Sequence, residues 1–327
     1  MTKTRKTLSA EAVVGLLIIA VLILLMFIAP GFFSIQNIMQ VMRVFSYTFI
    51  AAIGMTMIFI SGNTDISFGA VVSVIAIVCA GLCKAGLSFA AFLPLGILAG
   101  AFLCGINGLI ITKFGLPAMV VTLATSQIYF GALLLVVDGS IYNLPAAWTW
   151  FTFETNLFGV LPLCVLISLV LLVIFLFFFK YSTFMKNVYA IGNNQQAARN
   201  VGINVEKTLM IIYLISGGLL AFSAMILGTN GNRVTCTVGT NLEMNAIAAV
   251  IVGGTNPSGG AGKIYGTALG ALFLAIVSPA LVFIGINTYW TNLFTGIIIV
   301  TAIIASVIRT KMAEKRNSSK IIPEEGE

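Results

Sequence analysis

Apolar residues form long uninterrupted runs along this chain, separated by short polar segments. The run 157–179, for example, contains no charged residue and ends in three consecutive phenylalanines. A helix needs about 20 apolar residues to cross roughly 30 Å of hydrocarbon, whereas a membrane β-barrel needs polar and apolar positions that alternate. The runs do not alternate, so they predict an all-α polytopic membrane protein.

About ten transmembrane helices are predicted from these runs. The eighth is too short to cross a bilayer alone, and we expect it to run on into the Gly-rich segment that follows it. The chain is expected to form one transmembrane domain, residues 11–308, between an N-terminal tail, 1–10, and a C-terminal tail, 309–327. The predicted spans are 11–30, 44–61, 66–86, 88–112, 117–137, 157–179, 208–228, 244–254, 264–286 and 289–308.

The basic residues indicate the orientation in the membrane. If the N-terminus is cytoplasmic, 14 of the 17 Lys and Arg residues lie in cytoplasmic loops and tails, and only Arg43, Lys84 and Arg233 lie outside. Cytoplasmic loops of membrane proteins carry an excess of Lys and Arg. Ten spans also return the basic C-terminal tail to the cytoplasm, so both termini are predicted to be cytoplasmic.

Composition excludes several classes of function. The chain is 59% hydrophobic and 8% charged, so its net charge of +7 has hardly any soluble face on which nucleic acid could bind. Histidine is absent, and the five cysteines show no metal-binding spacing. The Gly-Lys pair at 262–263 is not a P-loop, because Pro257 replaces the first Gly and Ile264 replaces the hydroxyl residue. We therefore expect no catalytic, metal or nucleotide site in this chain.

Small residues recur every four positions in two of the predicted spans. Small side chains at this spacing let helices approach closely in lipid, so we assign them to helix packing. They include Gly96, Gly100 and Gly108 in the fourth span and Gly262, Gly266 and Gly270 around the start of the ninth.

One acidic residue, Asp65, lies between two apolar spans. An ionised carboxylate at membrane depth costs about 2.5–3.5 kcal/mol by insertion scales, so such residues are rare. Asp65 either belongs to a polar cluster on a solute pathway or caps the helix that follows it, and the two roles are compatible.

The break at 61–65 resembles a second Gly/Asn break at 253–257. Paired breaks point to a central pathway in transporters, although two short matches also arise by chance.

The longest cytoplasmic loop, 180–207, contains a segment rich in Ala, Gly, Asn and Gln at 189–199. Its amide side chains can cap a short helix, and Ala197 with Ala198 would give that helix a small face for docking. An ordinary polar turn between two spans is the alternative.

Three motifs resemble those of the bacterial ABC-importer permeases for simple sugars, the ribose, xylose, galactose and autoinducer-2 group. Residues 62–69 resemble Gly-Gly-x-Asp-Leu-Ser-x-Gly, with Asn63 and Thr64 as departures, and the run 243–255 with the glycines after it resembles a second motif. The cytoplasmic motif Ala-Ile-Gly-x-Asn-x-x-Ala-Ala-x-x-x-Gly-Ile is matched by Ala190, Ile191, Gly192, Asn194, Ala197, Ala198, Gly202 and Ile203.

The resemblance implies the permease subunit of an ATP-driven importer in a bacterial plasma membrane. Its partners would be a second copy of itself, an ATPase subunit that uses ATP and Mg²⁺, and an extracytoplasmic solute-binding protein that delivers a monosaccharide such as ribose. Loop 180–207 would couple this chain to the ATPase, and no cofactor is expected in the chain itself. Candidate residues of the translocation pathway are Asn63, Asp65, Thr122, Gln127, Asn245 and Asn256.

Other solutes and another class of transporter are the alternatives. Autoinducer-2, nucleosides and branched-chain amino acids are carried by permeases of related architecture. A secondary transporter driven by an ion gradient would require functional charges inside the membrane. Asp65 alone gives that alternative little support, and the absence of histidine weakens a proton relay.

Overall fold

A computed structural model describes residues 10–87, 89–137, 142–143, 156–157, 161–228, 233–287, 290, 292–298, 300–301 and 304. The predicted tails, 1–10 and 309–327, lie outside these residues apart from Ala10, and so does part of the tenth predicted span.

Eleven α-helices and one 3₁₀ helix are defined in the described part of the chain, and further helical residues lie between 290 and 304. The 3₁₀ helix is Pro30–Phe33. The α-helices are α1 (Ala10–Ile28), α2 (Ile35–Ile60), α3 (Phe68–Lys84), α4 (Phe89–Phe114), α5 (Ala118–Val137), α6 (Leu163–Tyr181), α7 (Thr183–Asn193), α8 (Gln195–Asn200), α9 (Val205–Gly228), α10 (Leu242–Val252) and α11 (Ile264–Phe283).

Seven of these helices are long and apolar enough to cross a membrane, namely α1, α2, α4, α5, α6, α9 and α11. This confirms the prediction of a polytopic helical membrane protein. The count of ten spans and the orientation of the termini stay predictions.

Two pairs of very short strands connect the loops. β1 (Tyr142–Asn143) pairs antiparallel with β4 (Arg233–Val234), and β2 (Asn156–Leu157) pairs antiparallel with β3 (Leu161–Pro162). The first pair joins the segment after α5 to the segment after α9. The ends of these two helices therefore lie on the same side of the bundle.

The central helix of the bundle is α2. Its residues from Phe49 to Ile60 are all buried, and it packs against α6, α9, α10 and α11. It begins nine residues before the predicted span, because the Ser34 hydroxyl caps it by accepting a hydrogen bond from the Asn37 N–H at 3.5 Å. Arg43 was expected in an outer loop, and that expectation is wrong, since Arg43 lies in the third turn of α2.

Two spans are interrupted. With 17 and 11 residues, α3 and α10 are about 25 Å and 16 Å long, shorter than the roughly 30 Å hydrocarbon core. Irregular residues, 61–67 and 235–241, precede them. The start of α3 meets the segment before α10, because the Gly239 N–H donates to the Ser73 hydroxyl at 3.0 Å, and a carbon added to Gly69 would lie 2.6 Å from the Gly239 carbonyl oxygen. The irregular segments are only partly covered by protein, since Asp65, Ser67 and Gly239 are buried whereas Gly62, Thr240 and Asn241 are exposed.

The Gly-rich segment after α10 forms turns. The eighth predicted span therefore does not continue there as a helix, and the chain instead turns back into α11. On α11, Gly270 lies against the Ala249 carbonyl of α10, and Gly266 lies against the carbonyl of Gly253 just after α10. Gly262 lies just before α11 against Thr255. On α4, the three glycines assigned to packing face α3 or α9, and a carbon added to Gly100 would overlap the backbone of α9. These glycines therefore allow backbone segments to lie in direct contact.

Candidate coupling junction and translocation cavity

The loop 180–207 folds into two short helices, α7 and α8. The Ser182 hydroxyl precedes α7 and accepts a hydrogen bond from the Phe184 N–H at 3.2 Å. The Asn194 amide oxygen precedes α8 and accepts one from the Ala197 N–H at 2.9 Å. These are the capping contacts that Ser and Asn make at helix starts. The loop is therefore an ordered segment with a fixed shape, and we call residues 183–200 the coupling segment.

The coupling segment exposes only part of the matched motif. Ala198 is 3% exposed and packs inward, whereas Ala197 beside it is exposed. A bulky residue at position 198 would therefore disturb internal packing, and position 197 is the better probe of an outer contact. Among the other motif residues, Asn194 and Gly202 are exposed, Ile191 is buried, and Ala190, Gly192 and Ile203 are half-buried.

The end of α7 packs directly against two breaks between helices: the first is the segment 61–67 after α2, and the second is the run of Gly-rich turns 253–263 after α10. The Gly260 N–H donates to the Ile60 carbonyl at 2.9 Å, which joins the second break to the end of α2. Gly192 lies against the same carbonyl, and a carbon added there would overlap its oxygen. Gly259, at φ 94°, lies against the backbone of Gly62. We call Gly62, Gly192, Gly259 and Gly260 the glycine junction.

A tyrosine provides a second link from α7. The Tyr189 hydroxyl donates to the Gly262 carbonyl at 2.6 Å. Burial raises the pKa of Tyr189, and the nearby Lys263 opposes that rise. The phenol therefore keeps its proton at neutral pH and remains a donor. This bond attaches α7 to the chain immediately before α11.

An ion pair attaches α1 to the same place. The Lys263 ammonium lies 3.0 Å from the Glu11 carboxylate. Hydrogen bonds with Tyr265 and Glu11 raise the pKa of Lys263 to about 12. The first helix is thus tied to the loop that also contacts Tyr189.

The glycine junction can transmit movement, because its contacts are mostly between backbones, and Gly260 alone among its four glycines lies first against a side chain, that of Asn193. A shift of α7 must move Ile60 and the segment 259–262 together. Ile60 ends α2 and leads into the break before α3. The segment 259–262 lies in the connection between α10 and α11. The junction therefore connects the exposed coupling segment to both interrupted spans.

Asp65 is fully buried next to the start of α3. One of its carboxylate oxygens accepts hydrogen bonds from the Ser67 N–H at 2.8 Å and the Ser67 hydroxyl at 2.6 Å. The Asn107 amide donates to the same hydroxyl at 2.8 Å, and the Ile66 N–H donates to the Thr122 hydroxyl at 3.1 Å. An Asp that accepts an N–H bond two residues ahead supports a turn into a helix. Asp65 thus closes a turn just before α3, whose N-cap residue is Ser67 and has no side-chain capping bond.

A cavity of about 410 Å³ lies between the first half of α2, α10, the second half of α11 and the helical residues 292–295. Its described lining contains no charged side chain. Because Asn37 lies near the start of α2 and Ile60 ends it, the cavity and the junction lie toward opposite ends of one helix about 39 Å long. The polar lining residues include Asn37, Gln40, Tyr47, Thr48, Asn245 and Ser278.

The structure separates the residues predicted for a pathway. Asn245 lines the cavity. Asp65 and Thr122 belong to the buried cluster near α3, whereas Gln127 lies on the exposed face of α5. Asn63 lies in the first break. Asn256 shapes the second break, since its amide oxygen accepts from the Ser258 N–H at 3.1 Å and its amide nitrogen donates to the Gly259 carbonyl at 3.1 Å.

Sequence reasoning missed the cavity residues of α2. Asn37, Gln40, Val44, Tyr47 and Thr48 recur at helical spacing and so share one face of the helix. That signal is present in the sequence. It was hidden because the predicted span began at residue 44, which placed the two amides in a loop.

Comparisons with known proteins give a matching family and several related permeases. The sequence model of the family described as "Branched-chain amino acid transport system / permease component" matches residues 37–303. A probable ABC transporter permease of Escherichia coli strain K12 is 33% identical over 304 residues, 92% of this chain and 91% of that protein. The ribose import permease of Haemophilus influenzae is 30% identical over 298 residues, 88% of this chain and 91% of that protein. An autoinducer 2 import system permease of Salmonella typhimurium is 30% identical over 305 residues, 90% of this chain and 86% of that protein. No solved structure matches the chain.

Proposed function

The chain belongs to the family of transport-system permease components whose model matches it, and from this premise we propose that it is the membrane-spanning subunit of an ATP-driven importer for a monosaccharide such as ribose. Its relatives are import permeases, and with seven apolar helices of sufficient length it is a multi-pass protein of the inner membrane. ATP hydrolysis is assigned to a partner subunit, and capture of the solute to an extracytoplasmic binding protein.

The observation that carries this proposal is the contact of α7 with both helix breaks. A permease driven by a separate ATPase needs an exposed element that receives a movement and a stiff connection that passes it inward. The exposed residues 193–197 provide the first, and the glycine junction provides the second. When the ATPase subunits close, displacement of the coupling segment would shift α2, α3, α10 and α11 and alternate the opening of the bundle.

The proposed topology keeps ten spans with both termini in the cytoplasm. The cavity then opens toward the outer side, where a binding protein would deliver its solute. The coupling segment lies on the cytoplasmic side, where ATP is available. The relatives named for ribose and for autoinducer 2 support a small solute.

A second copy of the chain is proposed to pack against the exposed face of α5. Gln127 lies in the middle of this 20-residue helix and has no hydrogen bond to any other described residue. An amide that faces lipid without a partner is costly, and Gln side chains pair across helices in membranes. Ala124 and Gly131 flank it, and a carbon added to Gly131 would meet no atom within 4 Å. Because an amide both donates and accepts, it can pair with its own symmetry copy.

Oxidative cross-linking checks this interface. Gln127→Cys should form a disulfide between two copies in native membranes, because the symmetric contact places the two residues together. Phe102→Cys, on an exposed face of α4, is the control and should remain monomeric. Cross-linking at residue 102 without cross-linking at residue 127 would contradict the proposed interface.

The coupling role is tested with Ala197→Arg in the complete transporter. A large charged side chain on the exposed surface of α8 should block the ATPase contact, so uptake and the stimulation of ATP hydrolysis should both be lost, while the amount of permease in the membrane stays the same. Leu116→Arg, in the exposed loop between α4 and α5, is the matched control. Normal stimulation in the Ala197 variant would remove the docking hypothesis.

A further inference from the structure

Several polar groups face the cavity without a partner. Gln40, Tyr47, Thr48, Asn245 and Ser278 line it, and none of their side chains forms a hydrogen bond with another described residue. A polar side chain inside a protein is costly unless it is hydrogen-bonded. Helices α2, α10 and α11 all contribute polar groups to this cavity. Its lining therefore suits water or an occupant with many hydrogen-bonding groups.

The lining selects against charge. Its described side chains are amides, hydroxyls and apolar groups, with no acidic or basic residue among them. A carboxylate or an ammonium group would lose its hydration there without meeting an opposite charge, which is unfavourable. An amino acid carries both groups, whereas a sugar carries only hydroxyls and a ring oxygen. The lining therefore favours a neutral polyol.

The remaining walls suit the carbon skeleton of such a solute. Leu274 and Phe283 of α11 and Val44 of α2 are apolar, and the Tyr47 ring offers a flat surface beside its hydroxyl. Small-molecule sites typically combine a mostly apolar wall with a few placed polar groups in about 300–1,000 Å³. The cavity of about 410 Å³ is within this range.

The position of Asn245 links this volume to the glycine junction. Asn245 lies on α10, and α10 ends at Val252, next to the turns that contain Gly259 and Gly260. A helix is stiff along its axis, so a movement of those turns shifts Asn245 relative to the α2 face. The occupant is thus held partly by a helix that the coupling segment can displace.

We propose that this cavity binds one molecule of a neutral polyol of monosaccharide size, and that its uncharged lining excludes amino acids. The amides of Gln40 and Asn245 and the hydroxyls of Tyr47, Thr48 and Ser278 bond the solute hydroxyls. The inference rests on the proposed import function for the side from which the solute arrives.

Weak binding to the purified full-length permease in lipid nanodiscs is the test. Saturation-transfer-difference NMR detects millimolar affinities, and the probes are D-ribose, D-xylose and L-leucine. Wild type should give a signal with at least one of the two sugars and none with leucine. Asn245→Leu and Ser278→Leu fill the cavity with apolar groups, and each should reduce the sugar signal to that of empty nanodiscs. Thr112→Val is the control, because the Thr112 hydroxyl bonds its own helix backbone at 2.7 Å, away from the cavity.

Three results would overturn the inference: a sugar signal that persists in both cavity variants, a leucine signal equal to the sugar signal, or no signal with either sugar. Thermal unfolding of each variant shows whether the fold is kept, and the two variants lie on different helices, so a folding defect in one leaves the other informative. Failure of the Ala197→Arg experiment would contradict ATP coupling and leave sugar binding intact, so the two proposals fail separately.

Discussion

At its beginning, α2 presents Gln40, Tyr47 and Thr48 to an open cavity, whereas at its end the Ile60 carbonyl is bonded by Gly260 and covered by Gly192. The first end has free volume and polar side chains that form no hydrogen bond with any described residue. The second has backbone contacts with no room for a methyl group. A solute site must take up and release its occupant, so loose contacts suit it. A coupling site must transmit displacement, so tight contacts suit it.

An added methyl group should disturb the tightly packed end of α2 and be tolerated at a glycine with open space beside it. Gly192→Ala places a carbon on the Ile60 carbonyl oxygen, and overpacking of this kind costs about 1–3 kcal/mol or more. We expect a lower midpoint of thermal unfolding and loss of ATP-dependent uptake. Gly81→Ala in α3 is the matched control, because the added carbon meets no atom within 4 Å. Equal uptake and equal unfolding midpoints for the two variants would mean that the junction is not tightly packed.

Tyr189→Phe is expected to have a smaller effect. It removes the 2.6 Å hydrogen bond to the Gly262 carbonyl, which contributes about 0.5–1.5 kcal/mol, and leaves the ring in place. Because α7 stays packed on the junction, uptake should continue with more ATP hydrolysed per solute molecule. Tyr181→Phe, at an exposed tyrosine, should leave that ratio unchanged. An unchanged ratio in the Tyr189 variant as well would show that this bond does not contribute to coupling.

Lys263→Gln should have the smallest effect. The side chain of Lys263 is 57% exposed, and exposed ion pairs contribute about 0–1 kcal/mol. The pKa of Lys263 is raised from 10.5 to about 12, so the contribution of the pair is complete below the ordinary value and is lost as the pH rises through about 12. Unfolding midpoints of wild type and variant should therefore differ by the same small amount at neutral and mildly alkaline pH. A difference that disappears between neutral pH and pH 9 would contradict this assignment.

Much of the fold follows from one-dimensional patterns. Apolar runs identify the long helices because lipid requires every backbone group to be bonded within a helix. The family motif around Gly192 and Asn194 is recognisable from its order of residues, and the comparisons confirm the family. Small residues at four-residue spacing, such as Gly266 and Gly270, likewise indicated close approach before any contact was known.

Contacts between distant segments could not be read from the sequence in the same way. Nothing in the local pattern shows that Gly69 meets Gly239, or that Gly192 lies on the end of α2, since these contacts depend on how the helices assemble. The cavity was missed for a simpler reason. Polar residues at the start of α2 made that turn resemble a loop, although their spacing was helical.

The central claim is that the coupling segment acts on the cavity through α2 and α10. It is tested most directly by the labelling rate of Ser278→Cys in the assembled transporter, with a thiol reagent that cannot cross the membrane. The five native cysteines are all buried, so the background is low. We predict that the rate differs several-fold between the nucleotide-free and ATP-bound states and that Gly192→Ala abolishes the difference. Equal rates in both states, while sugar uptake continues, would contradict the account.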